Sequence, residues 1–420
     1  MKKTIKLAMV AVLALGATSA FATNGSELIG TGAKTRGMGG VGIGISHGAE
    51  STLANAALIT SVKGTEISFG GTIFMPNVSA DMGAGAKDSV ANLSVIPEVS
   101  IATKVNDNFY MGIGMWGTAG MGVDYRKESG YTSNFKMVTN LQLMQFGVPL
   151  AYKSNGFSAA VTPVLQYGSL DMNFAGVLDS STMTSTPGST ANANFGAGVS
   201  QDLKFGYNLG LAYEAAGFTV GASYKSQIDM QYTGQISGAS QVFANFGLFG
   251  GQALSDKLST PATLGFGVSY EMSGSTIAID YKQVNWSSAE GYKDFKWENQ
   301  SVIAIGYEYL AKNWAARVGY NYANNPVANQ AATSGTDATG SAINMLNALG
   351  FPATIKSHMS VGASYNLSDA TSVDLAYVYA PKVSDTYTTA GFAGFGATNP
   401  ASVKVEHSQS SVSFQLNYIF

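Results

Sequence analysis

From Thr65 onward large apolar side chains alternate residue by residue with small or polar ones, in segments of about ten residues. In 260–271, Leu264, Phe266, Val268 and Tyr270 share one face, while Thr263, Gly265, Gly267 and Ser269 share the other. A period of two marks strands. The pattern predicts them at 65–74, 94–105, 109–118, 141–153, 157–171, 201–215, 217–229, 260–271, 275–285, 299–310, 313–322, 357–367, 371–380 and 410–420. Fourteen is an even number, as closure of a single-chain barrel with both ends on one side requires. Lipid suits the apolar face, which leaves the small residues to an interior.

The connections alternate in length. Short, turn-forming links at 106–108, 153–156, 216–217, 273–274, 311–312 and 368–370 separate long ones at 75–93, 119–140, 172–200, 230–259, 286–298, 323–356 and 381–409. Periplasmic turns and extracellular loops give a membrane barrel this asymmetry, which the Greek-key connections of a soluble sandwich do not need. Trp116, Trp286, Trp297, Trp314, Tyr125, Tyr307, Tyr309, Tyr320 and Tyr322 lie near strand ends and are expected in two interfacial girdles.

Ahead of the strands, Gly30 to Ile59 is dense in glycine, carries Lys34, Arg36, His47 and Glu50, and lacks the alternation. It reads either as an unstructured leader or as a compact insert folded inside the wall, because glycine allows irregular backbone in a confined space. Fourteen strands enclose a lumen too wide for one layer of side chains to fill, so something must line or plug it.

Composition changes the picture at three points. A chain of 420 residues with 12% charged residues carries too little charge for an ordinary soluble surface. Lys2 and Lys3, the apolar run from Leu7 to Ala17 and Ala20-Phe21-Ala22 form an export signal, which makes Thr23 the expected mature N-terminus. No later apolar run approaches the roughly 20 residues of a membrane helix. The expected organisation is therefore a signal peptide at 1–22, an N-terminal segment at 23–60 and the barrel at 61–420. Cys 0 removes thiolate chemistry and disulfides, and no clustered ligands point to a metal or other cofactor. A formal net charge of −3 gives no reason to expect nucleic acid. His358 and Ser360 share a strand face without an orienting carboxylate nearby in sequence, so no catalytic residue is assigned and no enzyme is expected.

The last strand places Phe414, Leu416, Tyr418 and the terminal Phe420 on one face. This ending resembles the signal of outer-membrane proteins that are inserted by the barrel-assembly machinery. A wider resemblance covers essentially the mature chain. It rests on Gly32, Arg36, Gly37, Gly40 and Ala54-Asn55-Ala56-Ala57-Leu58-Ile59, then on Ile96-Pro97, Pro261 to Gly265, and Asp280-Tyr281 leading to Asn285-Trp286-Ser287. Arg317 to Tyr320 with Asn325-Pro326-Val327, Val361 to Tyr365 and Val373 to Tyr377 complete it. In their order and spacing these segments resemble the FadL/TodX/OmpP1 family of outer-membrane transporters for long-chain fatty acids and aromatic hydrocarbons. One departure stands out: the family commonly has Asn-Pro-Ala where this chain has Asn55-Ala56-Ala57.

The resemblance implies an all-β, 14-stranded antiparallel transmembrane barrel of a Gram-negative outer membrane, with an N-terminal hatch that blocks axial flow. The matched hatch positions are Gly32, Lys34, Arg36, Gly37, Gly40, Asn55, Ala56 and Ala57. A hydrophobic substrate is then caught at an extracellular groove and leaves sideways through a gap at an inward kink of the third strand. Gly112, Gly114 and Gly117 are the candidates for that opening, against the alternative that they merely pack on the hatch. Phe243, Phe246, Phe249, Leu346, Leu349 and Phe351, in two long loops, are the candidate capture surface; loop-on-loop packing is the other reading. Arg317, Lys356 and His358 are candidates for a substrate's polar end or for lumen ion pairs. Outer-membrane lipid, lipopolysaccharide and the barrel-assembly machinery are the implied partners of a single-copy protein. A general diffusion porin with a water-filled channel is the competing function, although no opposed charge clusters mark a constriction.

Overall fold

The computed structural model describes residues 24–83, 85–127, 136–177, 192–196, 198–331, 338–395 and 401–420. The expected export signal and Thr23 lie outside the described residues, as do parts of the long connections.

Fourteen strands follow one another around a closed antiparallel wall. They are β1 (Thr65–Asp81), β2 (Ser94–Lys104), β3 (Phe109–Asp124), β4 in two pieces (Val138–Gly147 and Leu150–Ser154), β5 (Phe157–Val177), β6 (Val199–Ala215) and β7 (Phe218–Lys225). The second half comprises β8 (Thr263–Met272), β9 (Ser275–Val284), β10 (Gln300–Leu310), β11 (Trp314–Ala323), β12 (Ser357–Asn366), β13 (Thr371–Thr388) and β14 (Ser402–Ile419). Closure joins β14 to β1 from Glu66↔Ile419 to Asp81↔Lys404. Two short extra strands, Lys87–Asp88 and Asn192–Phe195, extend the long-loop end. Several wall strands also run further at that end than the alternation predicts. Beyond the lipid level their outer positions turn polar, as at Lys404, so the apolar signal stops before the pairing does.

Leu264, Phe266 and Val268 face out and Thr263, Gly265 and Gly267 face in, as the alternation requires. The girdle expectation divides. Trp314, Tyr307, Tyr309, Tyr320 and Tyr322 are exposed on the outer wall. Trp116, Trp286, Trp297 and Tyr125 are buried instead, which corrects their assignment to the girdles. Trp116 falls on the inward parity of β3, and Trp286 and Trp297 lie in a loop that folds back over the lumen, 5.1 Å apart by ring centroids.

Residues 24–62 run inside the wall. They carry α1 (Ala33–Gly37) and two 3-10 turns, Gly48–Leu53 and Ala56–Ser61. Two further helices, α2 (Ile236–Asn245) and α3 (Thr339–Gly350), belong to the long loops. Ile343 to Leu349 lie in α3, which is buried almost throughout.

Ala56 opens its turn after the extended Asn55 (φ −127, ψ 101), a conformation that a following proline favours. Its N–H lies outside the turn's own bonds. Ala56→Pro is therefore expected to raise unfolding stability by about 0.4–1 kcal/mol through the unfolded chain. The midpoint of urea unfolding in lipid vesicles checks this; a lower midpoint would mean that proline does not fit beside Gly210.

Candidate functional site

The inner segment is fastened by side chains that the wall points inward. Asp280 Oδ2 accepts from the N–H groups of Gly42 and Ile43 at 2.7 and 2.8 Å, and Oδ1 accepts from Gly44 N at 3.3 Å. Three successive amides thus cradle one buried carboxylate. Glu98 Oε2 accepts from Gly32 N, and Gln415 Oε1 accepts from Ala33 N. Within the segment, Glu50 accepts from the amides of Lys34 and Thr35. Ser360 Oγ accepts from Gly39 N and donates to Gly37 O.

Close approach explains the small inner face of the wall. A Cβ on Gly319 would lie 2.1 Å from Gly39 N, and one on Gly267 would lie 2.4 Å from Gly44 N. The segment's backbone therefore lies directly on the wall's backbone. Gly37 rests on Gly362, and Gly40 N donates back to Thr35 O. Lys34 Nζ lies 3.8 Å from Asp374. Asn55 caps the second 3-10 turn by accepting from Ala57 N, while its Nδ2 donates to Ile43 O and Leu211 O.

The strand ladder is interrupted between β2 and β3, a window in the wall's hydrogen bonding that buried side chains fill. Their pairing ends at Glu98↔Trp116, whereas β2 stays paired with β1 as far as Phe74↔Ser94. Above Trp116 the register of β3 against β4 shifts between Gly117 and Ala119, so Thr118 is an extra residue. Pro97, the next residue of β2, has no N–H to offer. The freed edge of β3 pairs with the inner segment: Leu28 N donates to Thr118 O, Gly120 N donates to Ser26 O, and Glu27 bridges Ala119. Leu28, Phe74 and Ile96 cluster at the window. Its upper edge is closed where Val90 N donates to Asp124 O and Ser89 N to Val78 O.

The three glycine candidates separate. Gly112 and Gly114 face inward on Thr52 and Leu53 of the inner segment, and Gly117 sits at the bulge beside Ile96.

Above the inner segment lies the largest apolar cluster. It joins Phe243 of α2, Leu346 and Leu349 of α3 and Phe351 to Ala119, Met121 and Val123 of β3. Phe246 and Phe249 pack against its edge. Two of its polar groups bond locally: Trp297 Nε1 donates to Asn347 Oδ1 at 2.9 Å, and Tyr292 OH meets Ser26 Oγ at 3.2 Å, whereas the buried Tyr125 and Tyr232 hydroxyls find no protein partner. Burial pushes the Tyr292 phenol above its ordinary value, so it stays neutral.

The polar candidates fall in different places. Arg317 lies near the short-turn end, bound to Glu308 at 2.6 Å and to Ser364 Oγ at 2.6 Å. Lys356 is partly buried just before β12, at its long-loop end, where its carbonyl accepts from Ala323 N. His358 is fully buried beside Gln409. Sequence reasoning missed the anchoring roles of Asp280, Glu98 and Gln415. The one signal available was polarity on an otherwise small inward face.

A family model described as "Outer membrane protein transport protein (OMPP1/FadL/TodX)" matches residues 9–420. A Pseudomonas aeruginosa FadL homologue superposes with a TM-score of 0.72 at 15% identity, over 94% of this chain and 99% of that one. The toluene transporter TodX of P. putida gives 0.68 at 17% identity, over 94% and 99%. The toluene transporter TbuX of Ralstonia pickettii gives 0.61 at 17%, over the same 94% and 99%. At these identities the likeness is one of fold. A curated Chlorobium limicola protein, from the 5′ region of a phosphoenolpyruvate carboxykinase gene, is 42% identical over 82 residues. The match takes in 19% of this chain and spans 40% of that protein's length.

Asp280 tests the fastening. In Asp280→Ala the amides of Gly42, Ile43 and Gly44 lose a charged acceptor, a loss of about 1.5–3 kcal/mol per bond at most. Hydrogen exchange at these three amides is expected to speed up by at least about tenfold while the strand amides of β9 keep their protection. Unchanged exchange would show that the carboxylate does not hold the segment.

Proposed function

This chain belongs to the OMPP1/FadL/TodX family of outer-membrane transport proteins, and we propose that it carries hydrophobic compounds, long-chain fatty acids or related hydrocarbons, from an extracellular apolar chamber sideways through its wall. The family is one of transporters, not of enzymes, and its members are multi-pass barrels of the Gram-negative outer membrane.

The observation that carries the reading is the window between β2 and β3. It is lined by Leu28, Phe74 and Ile96, and Ala119 and Met121 on its sill belong to the large apolar cluster. An apolar solute in that cluster meets apolar side chains on the way to the lipid and polar, hydrogen-bonded backbone below it. Residues 23–60 act in this scheme as the hatch, with Gly32, Arg36 and Asn55 among its fixed points. Phe243, Phe246, Phe249, Leu346, Leu349 and Phe351 form the chamber, and Gly117 marks the opening.

The same reading supplies the surroundings. The protein works as a single copy, its outer half lies in the lipopolysaccharide leaflet, and the barrel-assembly machinery reads the strand that ends at Phe420. A water-filled axial channel is the competing reading. Backbone seated on Gly319 and Gly267 speaks against it.

A disulfide across the window tests lateral exit. A Cβ on Gly117 would lie 3.8 Å from Ile96 Cβ, the spacing a disulfide takes, and the chain has no cysteine of its own. Uptake of radiolabelled oleate and toluene into vesicles carrying Ile96→Cys/Gly117→Cys is expected to stop on oxidation and return on reduction. Uptake that persists in the oxidised protein refutes lateral exit. Equal uptake with and without the protein refutes transport.

A further inference from the structure

The ladder is interrupted a second time, on the side of β6 that faces β7. Pairing of these two strands stops at Lys225↔Asn208. One further contact follows, in which Ser226 N donates to Tyr207 O at 2.9 Å and Tyr207 N donates to Ser226 Oγ at 3.0 Å, a hydroxyl standing in for a carbonyl. The chain after Ser226 then turns into the lumen behind β6 and β5. A Cβ on Gly206 would lie 2.5 Å from Ile228 Cδ1, one on Gly168 would lie 2.2 Å from the Tyr232 hydroxyl, and Met172 N donates to Gln235 Oε1. β6 itself stays paired with β5 as far as Asp171↔Val199. Its other edge, from Val199 to Gly206, has no strand beside it among the described residues.

The register places this free edge at the lipid boundary. Phe146, Leu165 and Phe205 form one outward row across β4, β5 and β6; Met144, Tyr167 and Leu203 form the next, and Gln142, Ser169 and Gln201 the one above. Apolar positions thus give way to polar ones between Leu203 and Gln201. Phe205 is 82% exposed against 39% for Phe146 in the same row, because no strand flanks it on one side. Its backbone is bare there as well. Tyr207, Phe205 and Leu203 turn their N–H and C=O groups to that same side. Leu203 N donates to Oδ1 of the preceding Asp202 at 2.8 Å, and Oδ2 of this carboxylate accepts from Gln231 N at 2.8 Å. The Phe205 N–H and the carbonyls of Phe205 and Leu203 have no protein partner among the described residues. Hydrocarbon supplies none, and an open strand edge is not tolerated against it. Gln227, Asp229 and Gln231 line the exposed side of the segment that turns inward, alternating with the buried Ile228 and Met230.

We propose that this edge seats an amide-linked acyl chain of lipid A, the membrane anchor of lipopolysaccharide. The amide N–H donates to the carbonyl of Phe205 or Leu203, and the amide C=O accepts from the Phe205 N–H, as a neighbouring strand would. The acyl chain lies along Phe205 toward the lipid, and the sugar hydroxyls reach Gln227, Asp229 and Gln231. An ester-linked phospholipid supplies acceptors at that depth but no donor, and Asp229 repels its phosphate. The proposal rests on the reading that the outer half lies in the lipopolysaccharide leaflet, and it gives that lipid a place on the wall.

Amide hydrogen exchange of the full chain tests it in vesicles of phosphatidylcholine, used alone or with phosphatidylglycerol or lipid A at equal content. The Phe205 amide is expected to exchange at least about tenfold more slowly with lipid A than in either other vesicle. The Tyr213 amide, inside the β6–β7 ladder, is expected to keep one rate in all three. Phe205→Ala is expected to weaken lipid A binding at least about tenfold by native mass spectrometry, with heat-modifiable migration reporting a folded barrel. Equal protection by phosphatidylglycerol would overturn the seat, since an ester-linked lipid would then suffice. Slow exchange in all three vesicles, as cover by the chain's own residues 178–191 would give, would overturn it too. Fast exchange in all three would leave water on these atoms and overturn it. Transport is read separately, from uptake into the phosphatidylcholine vesicles, so the seat can fail while the transport reading stands.

Discussion

A chain that folds irregularly inside a membrane-spanning wall must find partners for its backbone there, because bulk water does not supply them. Residues 24–62 depend on this constraint. Asp280, Glu98, Gln415, Ser360 and Asn321 take up the amides and carbonyls that α1 and two short 3-10 turns leave open. The dependence runs both ways. Asp280 is 1% exposed, and a carboxylate so buried is tolerable only because three amides surround it. Hatch and wall are in this sense one polar network, and the glycines of the inner face let the two backbones come close enough to form it.

The window follows from the same accounting of donors and acceptors. A wall strand without a neighbour would expose a row of N–H and C=O groups. Pro97 removes a donor from β2, the extra residue Thr118 turns β3 off its register, and β4 is interrupted before Leu150 at Val148-Pro149. Ser26 to Leu28 then supply the missing partner from inside. The stretch of β3 from Thr118 to Gly120 is thus paired with three residues of the hatch instead of with β2.

The wall was legible in the sequence because its signals are local. Alternation and turn chemistry are read over a few residues, and the fourteen strands lie where they were expected, apart from their polar extensions and from β7, expected to 229, which ends at Lys225. The aromatic side chains were harder, since their place depends on strand parity and on loops that fold back. Trp116 and Trp314 look alike near strand ends, yet one faces the lumen and the other the lipid. Asp280 could not be recognised as an anchor from its surroundings in the chain. A single carboxylate on a small inward face reads the same whether it meets water or the amide of Gly42, 238 residues away. Gly30 to Ile59 left both a leader and an insert open, and the family resemblance favoured the insert that the wall contacts describe.

The inward face of β14 changes character once along its length. Val403 and Val405 belong to the apolar cluster, and His407, Gln409, Ser411, Ser413, Gln415 and Asn417 follow below. The lumen is therefore divided into an upper part lined by the apolar cluster and a polar lower one, with the boundary at the ceiling of the hatch. Each CH₂ moved from water into the upper compartment gains about 0.8 kcal/mol, and continuing down the axis forfeits that gain against polar groups already bonded to one another. On the proposed route a solute leaving past Leu28, Phe74 and Ile96 keeps apolar contact until it reaches the lipid. Sideways exit then needs only the separation of Ser26 to Leu28 from one strand edge, whereas axial exit would need Asp280, Glu98 and Gln415 to release the hatch together.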